Sequence, residues 1–102
     1  MDKPLNPKDI QTAEMRASGI ACTGPCYLVS VIAAPVTTSG YITVYDGVDT
    51  TGTRRLLFDI TKGTTLLYVP VVPEYFAQGI YVAYSSFDGN VYVRFAKLQQ
   101  GE

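Results

Sequence analysis

Cys22 and Cys26 are the two thiols of the chain, four positions apart across Thr23-Gly24-Pro25. Thiolates at this spacing can form half of a zinc site. A structural zinc site takes four Cys or His ligands, and the chain has no histidine and no third cysteine to complete one. No metal is expected. The pair is not a redox Cys-x-x-Cys either, since three residues separate the two thiols. Two readings stay open. One is a disulfide across the Gly-Pro turn, whose short loop gains little entropy. The other is a pair of reduced thiols buried as small apolar groups, which a reducing cytoplasm favours.

The carboxylates offer no more. Asp46, Asp49, Asp59 and Asp88 do not form a recognised acid pair. Asp46, Asp49 and Asp88 stand beside Gly and Thr in turn contexts, where Asp accepts backbone N–H bonds. A loop calcium site at Asp46 and Asp49 would have to do without the ligand spacing of an EF-hand. Lone serines such as Ser30 lack a base to activate them. With no histidine, the commonest general base is missing. The expectation is a protein that is not an enzyme and carries no cofactor.

Tyrosine is the residue that stands out, at eight in 102 positions with no tryptophan. Tyr41 and Tyr45 alternate with Ile42 and Val44, Tyr81 alternates with Ile80 and Val82, and Tyr92 with Val91 and Val93. If these strands share a sheet, its outer face carries a tyrosine patch. The patch reads as cross-strand pairs stabilising a solvated face, as a surface buried under an arm, or as a protein interface, where tyrosine is enriched. The interface is the preferred reading, because several large aromatics on one outer face exceed what solubility requires. Its candidate residues are Tyr41, Tyr45, Tyr81, Tyr92 and Arg94. Arg94 is the only obvious cation among them, too few for a single-strand nucleic-acid platform. Eight basic and nine acidic side chains give a net charge of −1, which excludes bulk phosphate binding.

The elements that carry these residues read as strands. At 102 residues and 47% apolar, the chain is one domain with one core. Ala17 to Tyr45 holds no charge over 29 positions. Gly19, Gly24, Pro25, Pro35 and Gly40 break it as a membrane helix, and it reads instead as a first hairpin. Ser18–Cys22 is a short strand. Tyr27–Ala34 is apolar on both faces, as a strand covered on both sides would be, and Pro35 ends it. Tyr41–Tyr45, Arg55–Ile60 and Gly79–Ser85 alternate with period two. Thr65–Val72 contains Pro70, so it either lies at a sheet edge or ends at Val69. Pro73–Gln78 is a crossover loop with Tyr75 and Phe76 as plugs. Asp88-Gly89-Asn90 signals a tight hairpin into Val91–Ala96. Strands at this spacing with turn signals between them predict an all-β fold, a single antiparallel sandwich of six to eight strands, jelly-roll-like. Residues 1–17 are an extended N-terminal arm, 18–97 the sandwich and 98–102 a polar tail. The arm is charge-balanced, and Asp9–Arg16 is long enough for two marginal helical turns. It reads either as a frayed terminus or as a segment docking on a neighbouring subunit.

Thr23-Gly-Pro-Cys26-Tyr-Leu, Ile42-Thr-Val-Tyr-Asp-Gly47, Thr51-Gly-Thr53 and Gly79-Ile-Tyr-Val82 resemble a diffuse group of short virion proteins of tailed bacteriophages. The resemblance spans about residues 18–96 and is a pattern of turns and alternation. It does not extend to the Pro-rich arm or to residues 73–78. It implies a capsid decoration or cement protein that binds and stabilises the assembled head. Implied partners are the major capsid protein or other virion subunits, in a homo-oligomer for which a trimer is a natural geometry. Neither nucleic acid nor membrane is a partner. Met1-Asp-Lys-Pro-Leu-Asn-Pro-Lys has no apolar segment of a signal peptide, so the expectation is a protein made in the host cytoplasm and located in the virion. The alternatives are a tail, neck or fibre component, or a small carbohydrate-binding sandwich, against which the absence of tryptophan counts.

Overall fold

The chain is one long hairpin rolled up on itself. A computed structural model describes residues 10–61 and 63–97, which form nine strands: β1 (Ile10–Met15), β2 (Gly19–Thr23), β3 (Cys26–Thr38), β4 (Gly40–Asp46), β5 (Thr53–Ile60), β6 (Leu66–Tyr68), β7 (Glu74–Phe76), β8 (Gly79–Ser85) and β9 (Asp88–Lys97). The antiparallel pairs nest. β4 pairs β5 at the tip, β3 pairs β6 and β7, β2 pairs β8, and β1 pairs β9. Rolling this hairpin gives a first sheet in the order β1-β9-β3-β6, with β7 also on β3, and a second sheet in the order β2-β8-β4-β5. This double sheet is a jelly roll, as the turn spacing predicts. There is no helix among the described residues, and so none that could cross a membrane.

The inner faces of the two sheets make the core. Leu28, Val31 and Ala33 of β3 and Val91, Val93 and Phe95 of β9 face Ile42 and Val44 of β4, Ile60 of β5 and Ile80 and Val82 of β8. Each fully buried side chain of this size contributes about 1.5–3 kcal/mol. At the open side of the roll, Phe58 of β5 packs on Tyr68 of β6 with ring centroids 5.2 Å apart.

Several expectations change in the structure. Residues 10–15, inside the range expected to be an arm, are an edge strand running from Ile10 opposite Ala96 to Met15 opposite Val91. Met15 is buried in the core, so tertiary pairing decides a segment too short to be a helix alone. Residues 1–9 of the arm and the tail from 98 lie outside the described residues. Pro35 does not end β3, which continues to Thr38 through a register shift between Pro35 and Thr38; the neighbourhood of a bulge is one of the few places where a strand tolerates Pro. A second shift between Leu28 and Ser30 switches the buried set of β3 from Cys26 and Leu28 to Val31 and Ala33. The strict alternation of Tyr27, Val29, Val31 and Ala33 as one face is therefore broken at Val29. Tyr75 is not a plug: it is 47% exposed, whereas its neighbour Phe76 is fully buried on β7.

The turns also lead elsewhere than the sequence suggests. Ala17–Tyr45 is not a hairpin within one sheet, because β3 and β4 lie in opposite sheets. Asp88-Gly89-Asn90 lies within β9, and the chain crosses between sheets at Ser86, in the left-handed region at φ 59°, and buried Phe87. The two crossings meet at Gly40. A Cβ there would come within 2.5 Å of the Phe87 nitrogen and the Ser85 carbonyl oxygen. Both are backbone atoms, so neither can swing away. Gly40→Ala is expected to lower stability by about 3 kcal/mol or more, read from the urea midpoint. Gly63→Ala, where φ is +86° but nothing lies within 4 Å, is expected to cost only about 1 kcal/mol.

Candidate functional site

Three rows of side chains make up the outer face of the second sheet. Ile20, Tyr81, Tyr45 and Arg54 are cross-strand partners in the first row, Ala83, Thr43 and Leu57 in the second, and Ser85, Tyr41 and Asp59 in the third. The Tyr45 and Tyr81 rings tilt together with centroids 6.3 Å apart. Ile20, Tyr41 and Leu57 are each about half exposed, at 47%, 48% and 54%. Tyr41, Tyr45 and Tyr81 thus share a face, as their alternation suggests.

Tyr92 and Arg94 do not join them, because β9 belongs to the other sheet. On the outer face of the first sheet Tyr92 lies between Glu14 and Ile32, and Arg94 between Thr12 and Ser30. Leu67 continues the Tyr92 row, and Tyr27 and Tyr75 form a further pair with rings 5.5 Å apart. Exposed Val69, Val71 and Val72 flank this face on the β6–β7 connection. The five candidate residues therefore divide between two opposite surfaces. Ile20, Leu57 and Leu67 belong to these surfaces and were not singled out from the sequence. The alternation of Leu57 with Leu56 and Phe58 was visible, but which strands would be neighbours was not.

Two of the turn carboxylates, Asp46 and Asp49, are structural. Asp46 accepts the Gln78 N–H at 2.8 Å and the Ala77 N–H at 3.1 Å, one on each carboxylate oxygen, with Arg55 at 3.7 Å. Asp49 accepts the Thr51 amide at 2.9 Å and the Thr51 hydroxyl. Those bonds, the hydroxyl first, hold its carboxyl below the usual range. Among the described residues no group of three or more Cys, Asp or Glu is placed to hold a metal ion, and the loop calcium reading finds no support in this geometry.

Cys22 and Cys26 are both free and buried, with no bond across the turn. Gly24, at φ 81°, takes the chain from one sheet to the other, so the two thiols enter the core from opposite sheets. Burial pushes the Cys26 thiol far above the usual thiol range, with the adjacent Cys22 sulfur reinforcing the shift. A thiol so held stays protonated and unreactive. Ellman's reagent is expected to titrate neither cysteine in the native protein and both after unfolding in urea.

Tyr84 points inward from β8 and ties the sheets together. Its hydroxyl lies 3.0 Å from both the Met15 and the Gly89 carbonyls and donates one proton shared between them. Burial, then the charge of Asp88, pushes its pKa up to about 12. Tyr68 is also pushed up to about 12, by burial and then by its hydrogen bond to Glu74 at 2.7 Å. The unfolded phenols titrate near ~10, so folding holds these protons more tightly than the unfolded chain does. The resulting stability is fully present below about pH 10 and is lost as pH rises to about 12. Chemical denaturation at successive pH values is expected to show that loss, and Tyr84→Phe to reduce its slope while lowering stability at pH 8 by about 1 kcal/mol.

Compared with known proteins, the chain matches no family model, no curated protein and no solved structure, so the resemblance to phage virion proteins rests on the quoted residues alone.

Proposed function

We propose that the chain is a non-enzymatic virion structural protein of a tailed bacteriophage, a decoration protein that binds the assembled head and stabilises it. The observation that carries this reading is the pair of outer sheet faces. Ile20, Tyr41 and Leu57 on one and Leu67 and Tyr75 on the other are each about half exposed or more, on a domain whose Asp46 and Asp49 carboxylates and two thiols are engaged or buried within its own structure. Large apolar side chains on both faces of a small sandwich suit protein contact. The turn pattern shared with short virion proteins supplies the partner class, the major capsid protein or another virion subunit. The mechanism is burial: each copy covers capsid subunits with a preformed rigid face, and many repeated copies give avidity.

The face of the first sheet, where Leu67, Tyr75 and the valines of the β6–β7 connection are exposed, is assigned to the capsid. The test is to titrate the purified protein onto undecorated heads and follow shell resistance to heat. Saturable binding with a raised disruption temperature is expected, and Leu67→Asp is expected to weaken binding at least tenfold. Absence of binding, or binding with no gain in heat resistance, would overturn the decoration reading.

A further inference from the structure

The outer face of the second sheet is self-complementary, and we infer that it pairs two copies of this chain about a twofold axis. Arg54 and Asp59 lie at opposite ends of the outer face of β5. Five positions apart, they would point to opposite sides of a regular strand. The register shift between Val44 and Tyr45, where Val44 pairs Leu56 and Tyr45 pairs Arg54, prevents this. It turns Arg54 outward beside Tyr45 and sends the Arg55 guanidinium toward β7, 4.6 Å from the Phe76 ring centroid and 2.9 Å from the Tyr75 carbonyl. Arg54 and Asp59 are both exposed, and neither has an ion-pair partner among the described residues.

A twofold axis lying in the interface plane, perpendicular to the strands and passing over Leu57, exchanges the first and third rows. Arg54 then faces the partner's Asp59 and Asp59 faces the partner's Arg54, so the ion pair forms twice. Tyr45 meets the partner's Tyr41, Tyr81 meets the small Ser85, and Leu57 meets its own copy. This is the isologous arrangement that closed dimers use. The strands of the two copies run antiparallel within the roughly 30° that packed sheets adopt, an offset that the length of the Arg54 side chain absorbs. The other outer face lacks this symmetry, because Glu14 is already engaged by Arg16 at 3.4 Å.

The size of the face sets the strength. Four strands ~4.8 Å apart and about seven residues long give about 450 Å² per copy, or about 900 Å² in all, below the ~1,200 Å² of a standard stable interface. The dimer is accordingly of the weak, transient class. It leaves the first sheet free and does not depend on what that sheet binds.

Sedimentation velocity of the full chain from 5 µM to 1 mM tests the inference. A monomer–dimer equilibrium is expected. Asp59→Arg and Arg54→Asp are each expected to weaken dimerisation at least tenfold, by placing like charges opposite one another twice. The Arg54→Asp/Asp59→Arg double variant is expected to restore it, and Leu57→Asp, on the axis, to abolish it. Far-UV circular dichroism and the urea midpoint show whether each variant keeps the fold. A monomer throughout the range, or a dimer insensitive to Leu57→Asp and to the charge swap, would overturn the pairing. Neither result bears on binding to heads, which is measured separately.

Discussion

One carboxylate closes the end of the roll. Asp46 ends β4, and its two oxygens take the N–H groups of Ala77 and Gln78 where the chain passes from β7 to β8. Around it the Gln78 carbonyl accepts the Gly24 N–H at 3.0 Å and the Gly79 carbonyl accepts the Gly47 N–H at 3.1 Å. Arg55 reaches the same place from β5 and caps the Phe76 ring. The turn into β3, the end of β4, the bulge of β5 and the entry to β8 are thereby fixed to one another. One side chain thus satisfies two backbone amides that no strand ladder reaches. The register of the second sheet, and with it the arrangement of its outer face, depends on this cluster.

The bulges give the fold its surfaces. Where β5 shifts register, a cation moves to the outer face and its neighbour turns toward the other sheet. Where β3 shifts at Val29, Ser30 and Val31 are both buried although they are consecutive. A third shift between Ile20 and Cys22 leaves Ile20 outside and Cys22 in the core. Each extra residue re-aims the side chains beyond it. Regular strands with the same composition would place Arg54 and Asp59 on opposite sides.

What the sequence made legible follows from the same physics. The faces of β4, β5 and β8 could be read because one side of each is buried and period two reports that directly: Ile42 and Val44, Leu56 and Phe58, Ile80 and Val82. The expected β-sandwich follows from those strands and their turns. Pairing between sheets could not be read. Gly40 and Ser86-Phe87 mark changes of direction, but a turn residue encodes a local dihedral and not which sheet receives the next strand. Tyr92 looked equivalent to Tyr81 for that reason and lies on the opposite surface. β1 was hidden because Ala13 and Met15 bury a face only when β9 is beside them. The clamp at Asp46 was hidden because its acceptors serve amides 31 and 32 residues away.

The nested pairing also sets an order in time. Ile10 pairs with Ala96, so the strand that is synthesised early is among the last to find its neighbour. Among the described residues only the β4–β5 hairpin at the tip can form from local contacts; every later pair encloses a longer loop, whose closure entropy must be met before the ladder compensates. Assembly then proceeds outward from the tip, and the first sheet stays unfinished until β9 has been made. Any surface that depends on the completed first sheet therefore exists only after β9 has been made and has paired with both β1 and β3.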